Sequence, residues 1–187
     1  EVDGLIGDGD HGMNMNKGFT VFETRFADKD FSFTEGLDEL GMILLNEIGG
    51  SMGPIYGTMF SRIARACKQE AKLTKEVFLK ALQDALQGLQ ELAGAKEGDK
   101  TLIDTLAPAI RAYEQAMQEG RSYAACLCAL QQGAEAGREH TKELVAKIGR
   151  AARLGERSRG YLDAGATSCC IILTTMAHQM CADILEE

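Results

Sequence analysis

Three aspartates separated by glycines lie within the first ten residues of the chain. Asp3, Asp8 and Asp10 stand in the stretch EVDGLIGDGDHGMNMNKGF. Carboxylates this close repel one another unless a cation or water lies between them. Their hard oxygens suit Mg²⁺, which commonly bridges protein carboxylates to phosphates, but a solvated acidic turn fits the same spacing. An EF-hand is excluded because Gly12 stands where that loop needs an oxygen ligand.

Other polar residues near these glycines could also contact an anionic ligand. His11 could donate a hydrogen bond to phosphate or cap a helix, and Asn14 and Asn16 could bond phosphate or backbone. In the stretch GGSMGP, Ser51 precedes Pro54, which the pattern places at the first position of a helix. That stretch is compatible with a cradle for phosphate or ribose.

The elements that must position these residues are helices. Apolar residues recur at steps of three and four, and no segment alternates with a period of two. Thr74 is a candidate N-cap, and Pro108 is expected to kink or break a helix. The pattern predicts a single all-α domain over residues 1–187. Its helices are expected near residues 13–26, 36–48, 53–71, 75–94, 99–118, 122–147 and 165–185.

Four glycine-rich stretches each precede a predicted helix: 4–12, 49–57, 94–100 and 149–168. A helix start offers free backbone N–H groups and the positive end of the helix dipole, which suit phosphate oxygens. Four such stretches in one small domain indicate that the helices surround a shared site at one end.

Basic residues mark two of these stretches. Lys100 and Thr101 stand in GDKTLID, but the Walker pattern is missing from the chain, so a P-loop fold is excluded. The stretch GRAARLGERSRG could bind a polyanion or form a solvated arginine-rich face. Its arginines are Arg150, Arg153, Arg157 and Arg159.

The composition narrows the classes of partner. The formal net charge is −8, which argues against nucleic acid or an anionic membrane as a partner. The chain shows no signal peptide and no apolar run near the roughly 18 residues of a membrane span. Its six cysteines lack CxxC or zinc spacing and are typical of a reducing compartment, so a cytoplasmic location is expected. His140 and His178 fall on predicted helices and are interpreted as structural.

The sequence resembles the nucleotide-binding L subunits of dihydroxyacetone kinases. The resemblance lies in DGLIGDGDHGMNMNKGF, GGSMGPIYGTMF, EGDKTLIDTLAPA and GRAARLGERSRGYLDAGATS, which occur in the family's order between residues 3 and 168. It implies an antiparallel eight-helix barrel with a nucleotide at one end. The family's first helix is then expected to precede Glu1.

The resemblance also implies a set of site residues. Asp3, Asp8 and Asp10 would hold two Mg²⁺ ions that bridge the phosphates of ADP or ATP, and together with His11 they form the expected catalytic group. Two positions depart from the family pattern: Met52 replaces a common Ser or Thr, and Ala164 replaces a common Pro. The expected nucleotide contacts are His11, Gly12, Met13, Asn14, Ser51, Met52, Gly94, Leu102, Arg150, Asp163, Ala164 and Gly165.

The implied activity is phosphoryl transfer, in which the protein supplies positioning and charge neutralisation. ADP would stay bound as a coenzyme, be recharged by a phosphohistidine on an M subunit, and pass its phosphoryl group to dihydroxyacetone on a K subunit. The chain alone is expected to be inactive. Three alternatives stay open: an ATP-dependent dihydroxyacetone kinase, a kinase domain for another small keto-sugar or for fatty acids, and a non-catalytic ADP-bound regulator of a transcription factor.

Overall fold

The computed structural model describes residues 1–186, and over that range the chain forms eight α-helices, two 3-10 helices and no strand. The predicted all-α class is confirmed. Within the same range, no helix has both the length and the hydropathy that a membrane span requires. The α-helices are α1 (Asp3–Ile6), α2 (His11–Phe26), α3 (Phe33–Glu47), α4 (Met52–Cys67), α5 (Lys75–Ala93), α6 (Ile103–Gln118), α7 (Tyr123–His140) and α8 (Ala164–Glu186), and the 3-10 helices are Thr141–Glu143 and Arg150–Ser158.

The chain divides into two compact units. The middle unit is Asp10–Gly94, and the outer unit combines Glu1–Gly9 with the chain from Ala95 onward. The single domain over residues 1–187 and the antiparallel barrel both stay predictions.

The middle unit contains α2 to α5. Helix α4 packs against both α3 and α5, and α2 packs against α3. Polar N-caps start two of these helices: Ser32 forms a capping box with Glu35, and the Thr74 hydroxyl accepts the Val77 N–H at 3.3 Å, which confirms the predicted cap. The fully buried side chains of its core include Leu44, Met59, Ile63, Phe78 and Leu82.

The outer unit is built on α6, α7 and α8, which pack against one another. Helix α6 continues through Pro108, so the proline does not break it. Because Pro108 has no N–H to donate to the Asp104 carbonyl, that carbonyl loses its usual helix partner. Gly137 of α7 lies directly over it, and a Cβ there would clash with the Asp104 oxygen and with Pro108.

Three predicted helices are shorter in the structure. The helix expected over 53–71 ends at Cys67. The one expected over 99–118 begins at Ile103, because Lys100 takes a left-handed φ of 63° that no helix contains. The one expected over 122–147 ends at His140 and continues only as a single 3-10 turn.

Two short elements have no counterpart in the predicted helices. They are α1, which has four residues, and the 3-10 helix Arg150–Ser158. Both lie in glycine-rich sequence and are too short to show a helical repeat of apolar residues. Both carry residues of the candidate site.

Candidate functional site

The three N-terminal aspartates come together in one continuous stretch of chain. One carboxylate oxygen from each of Asp3, Asp8 and Asp10 lies within 4.8 Å of the other two. Helix α1 supplies Asp3, and the turn that follows supplies the others. Gly9 has a φ of 79°, a conformation that favours glycine, and this turns the chain back on itself. Three hard oxygens at this spacing fit the ligand preference of Mg²⁺.

Arginines lie beside Asp8 within the outer unit. Arg150 begins the second 3-10 helix, and its guanidinium forms an ion pair with the Asp8 carboxylate. Asp8, Arg150 and Arg153 line a pocket of about 450 Å³, together with Leu5, Ile6, Gly7 and Leu154. The pocket therefore combines one carboxylate of the aspartate cluster with guanidinium donors of the kind that bind phosphate.

The other two arginines of the cluster have different surroundings. Arg159 pairs with Glu156 at 3.0 Å and donates to the carbonyl of Glu143, so it stabilises the local chain. Arg157 is exposed and does not line this pocket. Spacing in the sequence could not separate these roles.

The first turn of α2 carries four predicted nucleotide contacts. Asp10 occupies the N-cap position without a side-chain cap bond, so His11 is the first helical residue and not the cap. Gly12 and Met13 are exposed, and His11 and Asn14 are partly buried. The Asn14 N–H donates to the Asp10 carbonyl at 2.9 Å, whereas the N–H groups of Gly12 and Met13 have no acceptor within the helix and are able to bind anions.

The second glycine-rich stretch leads into α4. Ser51 is the exposed N-cap residue, without a side-chain cap bond, and Met52 is the first helical residue and buried. The sequence pattern predicts Pro54 at the first position of the helix, but in the structure it is the third helical residue. At the end of α5, Gly94 forms the C-cap in a left-handed conformation.

The remaining predicted contacts come together at the start of α8. Asp163 precedes this helix, and its carboxylate accepts the Ala166 N–H at 2.7 Å. A Cβ placed on Gly165 would lie 3.5 Å from the backbone nitrogen of Leu102, so these two residues adjoin. Ala164 is the first residue of α8 and partly buried.

Burial raises the pKa of the Asp163 carboxyl from its ordinary 3.8 to about 6. Three nearby groups oppose this shift: the Ala166 N–H, which stabilises the ionised form by donating to it, the cationic Lys100, and the Gly165 N–H. The Asp104 carboxylate acts in the same direction as burial. The pKa of this carboxyl group is therefore well above that of an ordinary aspartate.

Lys100 was absent from the residues predicted for the site. Its side chain is only 1 % exposed, and its ammonium donates to the carbonyl oxygens of Thr141, Leu144 and Tyr161. The GDKT sequence marked this lysine, but only the fold reveals its acceptors.

Comparison with known proteins places these motifs in a family. The DAK2 domain family matches residues 5–178. The PEP-dependent dihydroxyacetone kinase ADP-binding subunit DhaL of Escherichia coli K12 is 37% identical, over 94% of this chain and 84% of that protein. The PEP-dependent dihydroxyacetone kinase 1 ADP-binding subunit DhaL of Listeria innocua is 34% identical, over 94% of this chain and 83% of that protein.

Longer proteins also match. The D-erythrulose kinase of Mycolicibacterium smegmatis is 31% identical over 94% of this chain, which spans 31% of that enzyme. The crystal structure of the dihydroxyacetone kinase from C. freundii in complex with AMP-PNP and Mg²⁺ has the same fold, with a TM-score of 0.70 and 23% identity over 95% of this chain and 29% of that one. By the extent of the family match and the identity to these relatives, this chain belongs to the DAK2 domain family of dihydroxyacetone kinases.

Proposed function

We propose that this chain is the nucleotide-binding subunit of a PEP-dependent dihydroxyacetone kinase. The observation that carries the proposal is the carboxylate cluster of Asp3, Asp8 and Asp10, with Arg150 paired to Asp8. The names of the bacterial relatives support the choice of ADP as ligand and of dihydroxyacetone as final acceptor.

The three aspartates would hold two Mg²⁺ ions, which would neutralise charge on the transferred phosphoryl group. Arg150 would exchange its bond to Asp8 for charge-assisted hydrogen bonds to phosphate oxygens. The N–H groups of Gly12 and Met13, in the first turn of α2, would donate to the same class of oxygen. The protein contributes orientation and charge and forms no covalent intermediate of its own.

Other residues would line the nucleotide. We assign this role to Leu102 and to residues 163–165, which lie together at the start of α8, and to Gly94. Met52 offers no hydroxyl where relatives of the resembled family commonly have one, and its side chain is buried. The exposed hydroxyl of Ser51 would supply that contact instead.

The proposed partners are two further subunits. A K subunit would hold dihydroxyacetone, and the phosphohistidine of an M subunit would rephosphorylate ADP in place. A second candidate is an ATP-dependent kinase for a different small keto-sugar, which the 31% identity to a D-erythrulose kinase favours. The two differ in whether the nucleotide leaves the site in each cycle.

Exchange of bound nucleotide distinguishes the subunit that keeps ADP as a coenzyme from the ATP-dependent kinase. The protein is loaded with labelled ADP and chased with excess ATP, and turnover is measured with K subunit plus either ATP alone or phosphorylated M subunit. A coenzyme role predicts label retained over many turnovers and activity only with the M subunit. Exchange within one turnover, with repeated cycles on ATP alone, would favour the ATP-dependent kinase.

A further inference from the structure

The lysine of the GDKT motif has no part in the proposed function. Lys100 lies in a left-handed backbone conformation, and its side chain is buried. The ammonium nitrogen lies 2.5 Å from the carbonyl oxygen of Thr141, 3.3 Å from that of Leu144 and 2.6 Å from that of Tyr161. An ammonium group has three protons to donate, so these three acceptors use all of them.

The three acceptors lie on both sides of the segment 145–160, which contains the 3-10 helix Arg150–Ser158. Thr141 and Leu144 precede the 3-10 helix that begins at Arg150, and Tyr161 follows it. Lys100 therefore ties the two ends of this segment to a single point. We call Lys100 and its three carbonyl acceptors the Lys100 clasp.

Further hydrogen bonds close the same segment. The Gly160 N–H donates to the Lys142 carbonyl at 2.7 Å, and the Ala146 N–H donates to the Ser158 hydroxyl at 2.9 Å. The Asp163 N–H donates to the Thr141 hydroxyl at 3.1 Å. The backbone entering the segment is thus joined to the backbone leaving it, up to the start of α8.

The charge of Lys100 fits this position. Burial lowers the pKa of its amine, while the nearby carboxylates of Asp163 and Asp104 act to raise it and Arg159 acts to lower it. Burial has the largest effect, so the pKa of Lys100 is lowered overall, and the three carbonyl dipoles and two carboxylates around the ammonium group offset part of the water it has lost.

We propose that Lys100 is a positioning residue for the nucleotide: it fixes Arg150 and residues 163–165 through the clasp and does not touch phosphate itself. The proposal rests on the proposed function, in which those residues bind the nucleotide. It assigns to this lysine a role unlike that of a P-loop lysine, whose ammonium contacts phosphates directly.

Two substitutions separate the loss of the cation from the loss of packing. Lys100→Met keeps an unbranched side chain of similar size and removes every donor, whereas Lys100→Arg keeps charge and donors but adds bulk. The matched control is Lys142→Met, an exposed lysine of the same region that pairs with Glu139. Affinity for ADP with Mg²⁺ is measured by calorimetry at a temperature where circular dichroism finds each variant folded.

We expect Lys100→Met to weaken ADP binding roughly 10- to 100-fold, the range typical of losing a supporting residue. Lys100→Arg should recover most of that loss, and Lys142→Met should match the unsubstituted chain. If the lysine only fills space, the order reverses: the Met variant binds ADP normally and the bulkier Arg variant does not. That order would overturn the proposal.

If Lys100→Met does not fold, amine labelling of the unsubstituted chain keeps the proposal falsifiable.

Amine labelling of the ligand-free chain tests the clasp without relying on nucleotide binding. Acetic anhydride should modify Lys142 and leave Lys100 unmodified, and ADP with Mg²⁺ should change neither result. A Lys100 that reacts in the free chain and becomes protected by ADP would be a phosphate ligand, which overturns the proposal. Failure of the unsubstituted chain to bind ADP would instead refute the proposed function, so the two failures are distinguishable.

Discussion

The Ala166 N–H donates to the Asp163 carboxylate across 2.7 Å, so one side chain both caps α8 and carries a buried carboxyl group. The cap favours the ionised form of that carboxyl, and burial favours the neutral form. Burial has the larger effect, and the pKa of Asp163 is therefore raised to about 6.

This raised pKa predicts a pH dependence of stability. Between the ordinary pKa of 3.8 and about 6, the folded chain binds the Asp163 proton more tightly than the unfolded chain does. The contribution of Asp163 to the free energy of unfolding therefore falls as pH rises through that window and is constant above it. The shift corresponds to at most about 3 kcal/mol.

Asp163→Asn should remove this dependence, since the amide oxygen still accepts the Ala166 N–H while the charge is lost. We expect a higher melting temperature than that of the unsubstituted chain near neutral pH, without nucleotide, and a flatter profile below pH 6. Thermal melts of both chains across this range provide the measurement. An equal slope in both chains would show that Asp163 does not titrate there.

The carboxylate cluster predicts that ADP binding depends on a divalent metal. Without a cation, the negative phosphates would approach Asp3, Asp8 and Asp10 directly, and like charges at such distances repel. Calorimetry after treatment with a chelator should show ADP affinity lower by orders of magnitude, and added Mg²⁺ should restore it. Equal affinity with and without metal would refute the assignment of these ligands.

Substitution of single aspartates predicts a loss of binding without a loss of fold. Asp8→Asn and Asp10→Asn each remove one charge from the proposed metal site, where a charge pair near 4 Å contributes about 4 kcal/mol, so ADP affinity should fall roughly 100-fold or more. The ligand-free melting temperature should hold or rise as repulsion is relieved, because the exposed pair of Asp8 with Arg150 contributes little. The exposed Asp30→Asn serves as control and should change neither quantity. A large drop in ligand-free stability would mean that the carboxylates are structural.

The contact between α6 and α7 predicts a strong effect of a single methyl group. Gly137→Ala places a Cβ against the Asp104 carbonyl and Pro108, and the two helices must separate to admit it. We expect a loss of about 1–3 kcal/mol in the free energy of unfolding, the usual cost of overpacking. Gly49→Ala, where no atom lies within 4 Å of the added Cβ, is the matched control in chemical denaturation. Equal stability of the two variants would show that α7 can shift freely on α6.

Periodicity predicted the long helices because each buries a regular apolar stripe, and the Thr74 cap is a local signal. The grouping of Asp3, Asp8 and Asp10 was also readable, since a short glycine-rich turn keeps its members close. The conformation of Lys100 was not readable, because its acceptors lie 41, 44 and 61 residues further along the chain. The residues near Lys100 in the sequence do not indicate which distant backbone carbonyls its side chain contacts.

The side chain of Asp104 contributes to the same late start of α6. Its carboxylate accepts the N–H groups of Gly98 and Thr101, which holds the preceding residues in a loop where sequence had indicated helix. Aspartate is common in the first turn of a helix. Whether its carboxylate accepts N–H groups from the residues before the helix depends on the surrounding fold.

The Lys100 clasp also sets how the outer unit opens to solvent. One ammonium group bonds backbone on both sides of the segment between Leu144 and Tyr161, so its release frees both sides in a single event. The amides of Ala146 and Gly160, which bond within this closure, should therefore exchange their hydrogens for deuterium together. In a chain carrying Lys100→Met, both amides should exchange faster by the same factor, while amides in the core of α4 keep their protection.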